Sequence, residues 1–246
     1  MTNCSPVKMV GCLIMNAIFT LFAYALVVNF APTKLANLFL NPMGVVKGLQ
    51  YEQEANAAKE AKKTTEGFKK MLETSKERIF DKKAPFVGSP NAKVEIVVFA
   101  DYKCGYCKQL GHFEASILED PKYKDKVKFI QKGFPILSQA SNYAAIAALQ
   151  IFEKNPNEFA KLNEAFYEFR GNSKEELMMF IQKTLSKKMA INFEDEKSIR
   201  QIAENLELGR ELGIQGTPAI IIGDEMIGGL IPEADLRAKF DAQLAK

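Results

Sequence analysis

The sequence predicts an α/β domain with an inserted block of helices, carried behind a hydrophobic N-terminal segment and a helical arm. Three observations predict it. The apolar, β-branched run Val94-Glu95-Ile96-Val97-Val98-Phe99-Ala100 turns into a helix that opens on Cys104-Gly105-Tyr106-Cys107, and an alternating strand follows at 126–132. Four helical patterns then succeed one another with no strand between them. The chain closes as strand, turn, short strand and helix, entered through Gly216-Thr217-Pro218.

Composition narrows the function classes. The 246 residues are 47% apolar, which suffices for one sizeable domain with accessory segments. Lys and Arg exceed Asp and Glu by only three (33 against 30) and are scattered among the acids, so nucleic acid is excluded as a partner. The four cysteines are too few for a disulfide scaffold. Cys4 and Cys12 fall in the N-terminal segment, leaving one close pair in the remainder.

The elements follow in order. No residue from 9 to 28 is charged, and the run reaches the length of about 20 residues that a spanning helix needs. Residues 1–31 therefore read as a signal anchor; Ala23-Tyr24-Ala25 also fits the small-x-small cleavage pattern of a signal peptide. Residues 32–83 read as a helical arm. Pro42, Gly44 and Gly48 interrupt its first part, and from 51 onward it is rich in Ala, Glu and Lys, with a narrow apolar stripe of Phe68, Met71, Leu72 and Ile79. Such an arm is either a stalk or a segment that joins protomers. Pro85, Gly88 and Pro90 mark the boundary to the catalytic domain, 84–246. After the Cys104 helix, Pro121 breaks the chain before the strand at 126–132. Helices are expected at 138–154, 156–170, 173–188 and 194–212, so the insertion spans about 138–212. Strands at 219–222 and 226–228 and a helix at 232–245 end the chain.

The two close cysteines carry the chemistry. A helix that opens on CxxC places Cys104 where unsatisfied N–H groups and the helix dipole stabilise a thiolate. Residues three apart share one helix face and satisfy disulfide geometry, so the pair can cycle between dithiol and disulfide without unfolding. Lys103 and Lys108 flank the motif as candidates for lowering the Cys104 pKa, and Asp101 is placed to cap the helix. His112, about two turns beyond Cys104, reads as a surface or packing residue. With no second CxxC and this single histidine, no metal site is expected. Tyr106, Phe134, Tyr143 and Phe152 either line an apolar groove for unfolded chains or pack the core.

Taken with Phe134-Pro135-Ile136-Leu137 and Gly216-Thr217-Pro218-Ala219, the segment Phe99–Lys108 resembles the DsbA-like branch of the thioredoxin superfamily, from about Lys93 to the C-terminus. The resemblance implies a thioredoxin fold with a helical insertion. It implies a cis Pro218 beside the cysteines, with the Thr217 backbone offered to an extended substrate. It makes Cys104 the nucleophile and Cys107 the resolving thiol, with Gly105, Tyr106, Thr217 and Pro218 completing the site and no cofactor beyond the cysteine pair. Gly-Tyr between the cysteines and Thr before the proline resemble DsbC-type isomerases, and the long arm resembles the oligomeric, ScsC-like members. Thr before the proline also occurs in DsbA-like oxidases. The Pro-His of the strongly oxidising members is absent.

The expected function is thus thiol–disulfide exchange on unfolded or misoxidised exported proteins, as isomerase or reductase in the bacterial periplasm or cell envelope. A membrane redox partner and a homodimer or homotrimer formed through the arm are expected with it. The alternatives are a dithiol oxidase and, from another class, an envelope holdase chaperone. The strand position at which some superfamily members bury an acid is apolar here, Val98, so no buried proton relay is expected.

Overall fold

The computed structural model describes residues 56, 66–186 and 188–246. The uncharged run at 9–28 and most of the arm lie outside the described residues. Among the described residues no helix is long and apolar enough to cross a membrane.

The chain is helical at 66–74 and again in a short α1 (Lys76–Ile79). It continues through β1 (Phe86–Gly88), β2 (Val94–Ala100), α2 (Gly105–Glu119), β3 (Val127–Gly133), α3 (Gln139–Lys154), α4 (Pro156–Phe166), α5 (Lys174–Leu185) and α6 (Glu196–Glu211). It ends with β4 (Ala219–Ile222), β5 (Glu225–Gly228) and α7 (Glu233–Leu244). The expected order of elements holds from β2 onward. The sequence does not announce β1, a three-residue edge strand set between the boundary prolines and paired antiparallel to β3.

The five strands form one mixed sheet in the order β1-β3-β2-β4-β5. Strand β2 lies at its centre, parallel to β3 and antiparallel to β4, and alternation along it supplies two cores. Ile96, Val98 and Ala100 face the larger core, with Cys107, Leu110 and Ile117 of α2, the apolar side chains of the helical insertion, and Phe240 of α7. Val97 and Phe99 face a second core with Leu72, Ile79, Ile130, Phe134 and Leu208. Burial on both faces explains why β2 reads as an almost unbroken apolar run.

That second core corrects the reading of the arm at its C-terminal end. Leu72 and Ile79 are buried in it, and Phe68 and Met71 pack against it. The apolar stripe therefore covers this domain's own sheet and is not free to hold a partner.

The helix starts of the insertion follow from its sequence. Ser138 accepts the Ser141 N–H, and Asn155 accepts those of Asn157 and Glu158 ahead of an N-terminal Pro156. Ser173 and Glu176 form a capping box, and Asp195 accepts the Ser198 N–H. Tight packing holds α6 against the strand end: a Cβ at Gly209 would stand 2.3 Å from the buried Phe134 ring. Gly209→Ala is expected to cost about 2 kcal/mol, read as a lower denaturant midpoint at unchanged slope. An unchanged midpoint would show that the ring yields.

Candidate active site

The cysteine pair sits where β2 ends and α2 begins. Cys104 is the N-cap residue, with extended backbone angles, and its carbonyl accepts the Lys108 N–H. Cys107 lies one turn in and is fully buried, whereas Cys104 is half-buried. The Thr217–Pro218 peptide bond is cis, and Cys104 Sγ donates to the Thr217 carbonyl at 3.4 Å. Antiparallel pairing of Phe99 with Ala219 brings these two segments, more than a hundred residues apart in the chain, to the same end of the sheet.

Their surroundings separate the two thiols. Burial works to raise the Cys104 pKa. Hydrogen bonding from the Thr217 side chain, from the backbone and side chain of Cys107 and from the Tyr106 backbone outweighs it, leaving Cys104 below the ordinary thiol value. For Cys107 burial dominates and pushes the thiol well above that value. The half-buried Cys104 gives up its proton more readily than an ordinary thiol, and the buried Cys107 less readily.

The flanking charges act differently from the expectation. Lys103 Nζ donates to the carbonyls of Gly171 (2.7 Å) and Phe169 (3.2 Å) and lies 4.8 Å from the centre of the Phe169 ring. Lys108 pairs with Glu168 at 2.6 Å. Both lysines thus tie the CxxC segment to the chain after α4, and neither is among the groups that lower Cys104. His112 pairs at the surface with Glu164, as its position on the helix suggests.

Asp101 is not a helix cap. It lies three residues before the N-cap and is almost wholly buried. Its Oδ1 accepts the Lys103 N–H at 2.8 Å, and its Oδ2 accepts those of Ile136 and Leu137, each at 2.9 Å. The carboxylate pins the loop after β3 beside the loop after β2, because a buried charge is tolerated only with several donors aimed at it.

The pinned loop presents two side chains that the sequence marks only as part of the family segment 134–137. Ile136 and Leu137 are exposed, and Tyr106 in the first turn of α2 is 63% exposed. Of the four aromatics proposed for a groove, Phe134 is buried in the second core. Tyr143 packs on Phe193 and Phe152 on Phe86 and Phe159. Only Tyr106 keeps a surface role. A residue the sequence did not announce is Glu114, buried in α2, whose pKa burial raises to about 8 against the hydrogen bond from Gln131. A carboxyl held above its unfolded value of 4.5 supports the folded state below that pH, and the support is lost as pH rises towards 8.

A family model described as Thioredoxin matches residues 80–242. The chain belongs to the thioredoxin family. Among solved structures, this family member is similar to a periplasmic thioredoxin-like protein from Salmonella enterica serovar Typhimurium. The two are 36% identical at a TM-score of 0.62, over 69% of this chain and 95% of that one. It is similar to the catalytic domain of Proteus mirabilis ScsC at 30% identity and a TM-score of 0.66, over 72% and 99% of the two chains. Among curated proteins it is 25% identical over 170 residues to disulfide bond formation protein D of Bacillus subtilis, covering 65% of this chain and 77% of that protein. Within the thioredoxin family the chain is a thiol–disulfide oxidoreductase of the DsbA-like type. Among the described residues no group of His, Cys, Asp and Glu is arranged to hold a metal.

Proposed function

We propose that this protein reshuffles or reduces disulfides in exported proteins, with Cys104 as the nucleophile and Cys107 as the resolving thiol. The observation that carries the reading is the split between the two thiols, Cys104 lowered and Cys107 strongly raised. A low-pKa Cys104 attacks a client disulfide readily. A Cys107 that gives up its proton reluctantly resolves the mixed disulfide slowly, which leaves time for another client thiol to attack. Gly105 and Tyr106 shape the turn. Thr217 and Pro218 offer backbone to an extended client, and Tyr106, Ile136 and Leu137 give it an apolar landing. The clients are unfolded or misoxidised proteins of a bacterial cell envelope, and a membrane reductase keeps the pair reduced. No cofactor takes part beyond the cysteines themselves. Assembly into a dimer or trimer through the arm at 32–83 would shield them from oxidation.

The test is to trap free thiols in intact cells and ask whether Cys104 is reduced. A mainly reduced pair is the expected result. A mainly oxidised pair would overturn the isomerase direction in favour of a second reading, a dithiol oxidase, which the similarity to a Bacillus disulfide bond formation protein favours.

A further inference from the structure

A third, small apolar cluster stands apart from both cores. Ala145 and Ile146 of α3 and Ile202 of α6 form it, with Leu149, Phe193 and Leu206 packed against it. Between α3 and the first half of α6 it leaves a cleft of about 310 Å³, at the small end of the range of about 300–1,000 Å³ usual for ligand sites. The buried Ile146 and Ile202 are its floor. Phe193, braced by Tyr143 at a ring separation of 5.4 Å, and Ile199, 45% exposed, line it nearer the surface. Glu194 is the one charged residue of the lining and is exposed.

The cleft is fixed relative to the cysteines. Helix α3 begins two residues after Leu137, and the N–H groups of Ile136 and Leu137 are held by Asp101, three residues before Cys104. Gly133 ends β3 so close to the cluster that a Cβ there would stand 3.2 Å from both Ala145 and Ile202, and its carbonyl accepts from Asn205 of α6 at 3.3 Å. From Gln139 to Ile146 the cleft follows α3 for about 10 Å, the length of roughly three residues of extended chain. Apolar exposure is gathered on this side. Of the five large apolar side chains exposed among the described residues, Tyr106, Ile136 and Leu137 rim the cysteines and Ile199 stands at the cleft, leaving only Met179 elsewhere, on α5. Gathered exposure of this kind marks a contact surface, where single scattered residues do not.

We propose that the cleft between α3 and α6 is a side-chain subsite of the exchange site, taking one large uncharged apolar residue of an extended client near the cysteine under attack. The assignment rests on the client reading above and adds selectivity to it. Backbone pairing at Thr217-Pro218 accepts any sequence, whereas an isoleucine floor with a carboxylate at its mouth favours Phe, Leu or Ile and rejects Asp or Glu. Unfolded chains expose such residues and folded ones bury them, so the subsite directs exchange to chains that have not finished folding.

The experiment uses the reduced full chain with Cys107→Ser, which stops at the mixed disulfide. It is offered Ser and Gly peptides with one cysteine, activated as the thionitrobenzoate disulfide, and one Phe stepped a position at a time along either side of that cysteine. Peptide attached to Cys104 is followed by mass. Attachment is expected to run roughly 10-fold faster at one spacing than in the peptide without Phe, and to lose that gain when Glu replaces the Phe. Ile199→Ser is expected to flatten the series and Met179→Ser to keep its peak. A flat series before any substitution at Ile199, or a peak that survives Ile199→Ser, would overturn the subsite while leaving exchange intact. A photoreactive benzophenone side chain introduced at position 199 gives a readout independent of exchange. It is expected to label the peptide of best spacing; labelling of a second copy of this chain instead would assign the face to self-association and overturn the proposal. Labelling of the peptide without attachment of any peptide to Cys104 would overturn the exchange reading and leave the cleft standing as a binding site.

Discussion

Cys104→Ser is expected to abolish reshuffling of a scrambled disulfide protein, by on the order of 10³-fold or more, because no other described cysteine is both open to solvent in part and lowered in pKa. Cys107→Ser should behave differently. It keeps the attacking thiolate but lacks the group that resolves the intermediate, so mixed disulfides with clients accumulate and appear as reducible high-mass bands on gels. Retained activity in the serine variant of Cys104 would remove it from the role of nucleophile. Client binding that survives in that variant, together with full protection of an unfolded client from aggregation, would favour the holdase reading.

Asp101→Ala is the second large effect. The substitution strips the acceptor from three backbone N–H groups at Lys103, Ile136 and Leu137, at a position almost closed to solvent. Each orphaned donor costs about 1–3 kcal/mol where water does not replace the lost partner, so a total of about 3–5 kcal/mol is expected. For a domain of this size the melting temperature would fall by roughly 10 °C. Asp101→Asn, which keeps one acceptor oxygen, should lose about half as much. Thermal unfolding of the three proteins checks this; an alanine variant as stable as the native protein would mean that the two loops are held apart from Asp101.

The sequence makes the scaffold plain because its signals are local. The apolar run of β2, the helix breaks at Asn155-Pro156 and Gly171-Asn172, and the turn at Gly223, whose φ is +59°, each announce themselves within a few residues. Pairing of Cys104 with Thr217-Pro218 is legible only through the family resemblance, since nothing local says that residues so distant in the chain will meet. The misread residues share one cause. Asp101 and Lys103 look like ordinary helix-end charges until the chain after β3 and after α4 is folded over them. Glu114 sits among polar and small residues in Gly111-His112-Phe113-Glu114-Ala115-Ser116, and only the packing of Tyr102 and Tyr167 around it turns a surface-like glutamate into a buried acid. The stripe at 66–79 has the right period for partner binding, but periodicity does not say whose surface it covers.

The register between β2 and β4 acts as a ruler for the whole site. Four rungs, from Ile96 opposite Ile222 to Phe99 opposite Ala219, fix how far Thr217 stands from Cys104. Sliding one strand by a single residue would move it by roughly 3.3 Å and turn its side chains to the other face. The helical block from Gln139 to Glu211 leaves the sheet after β3 and re-enters at β4, at the end where the cysteines lie. Its length is therefore decoupled from the reactive geometry. Within that block, the contacts of Lys103 and Lys108 with the chain after α4 are what couple it to the cysteines.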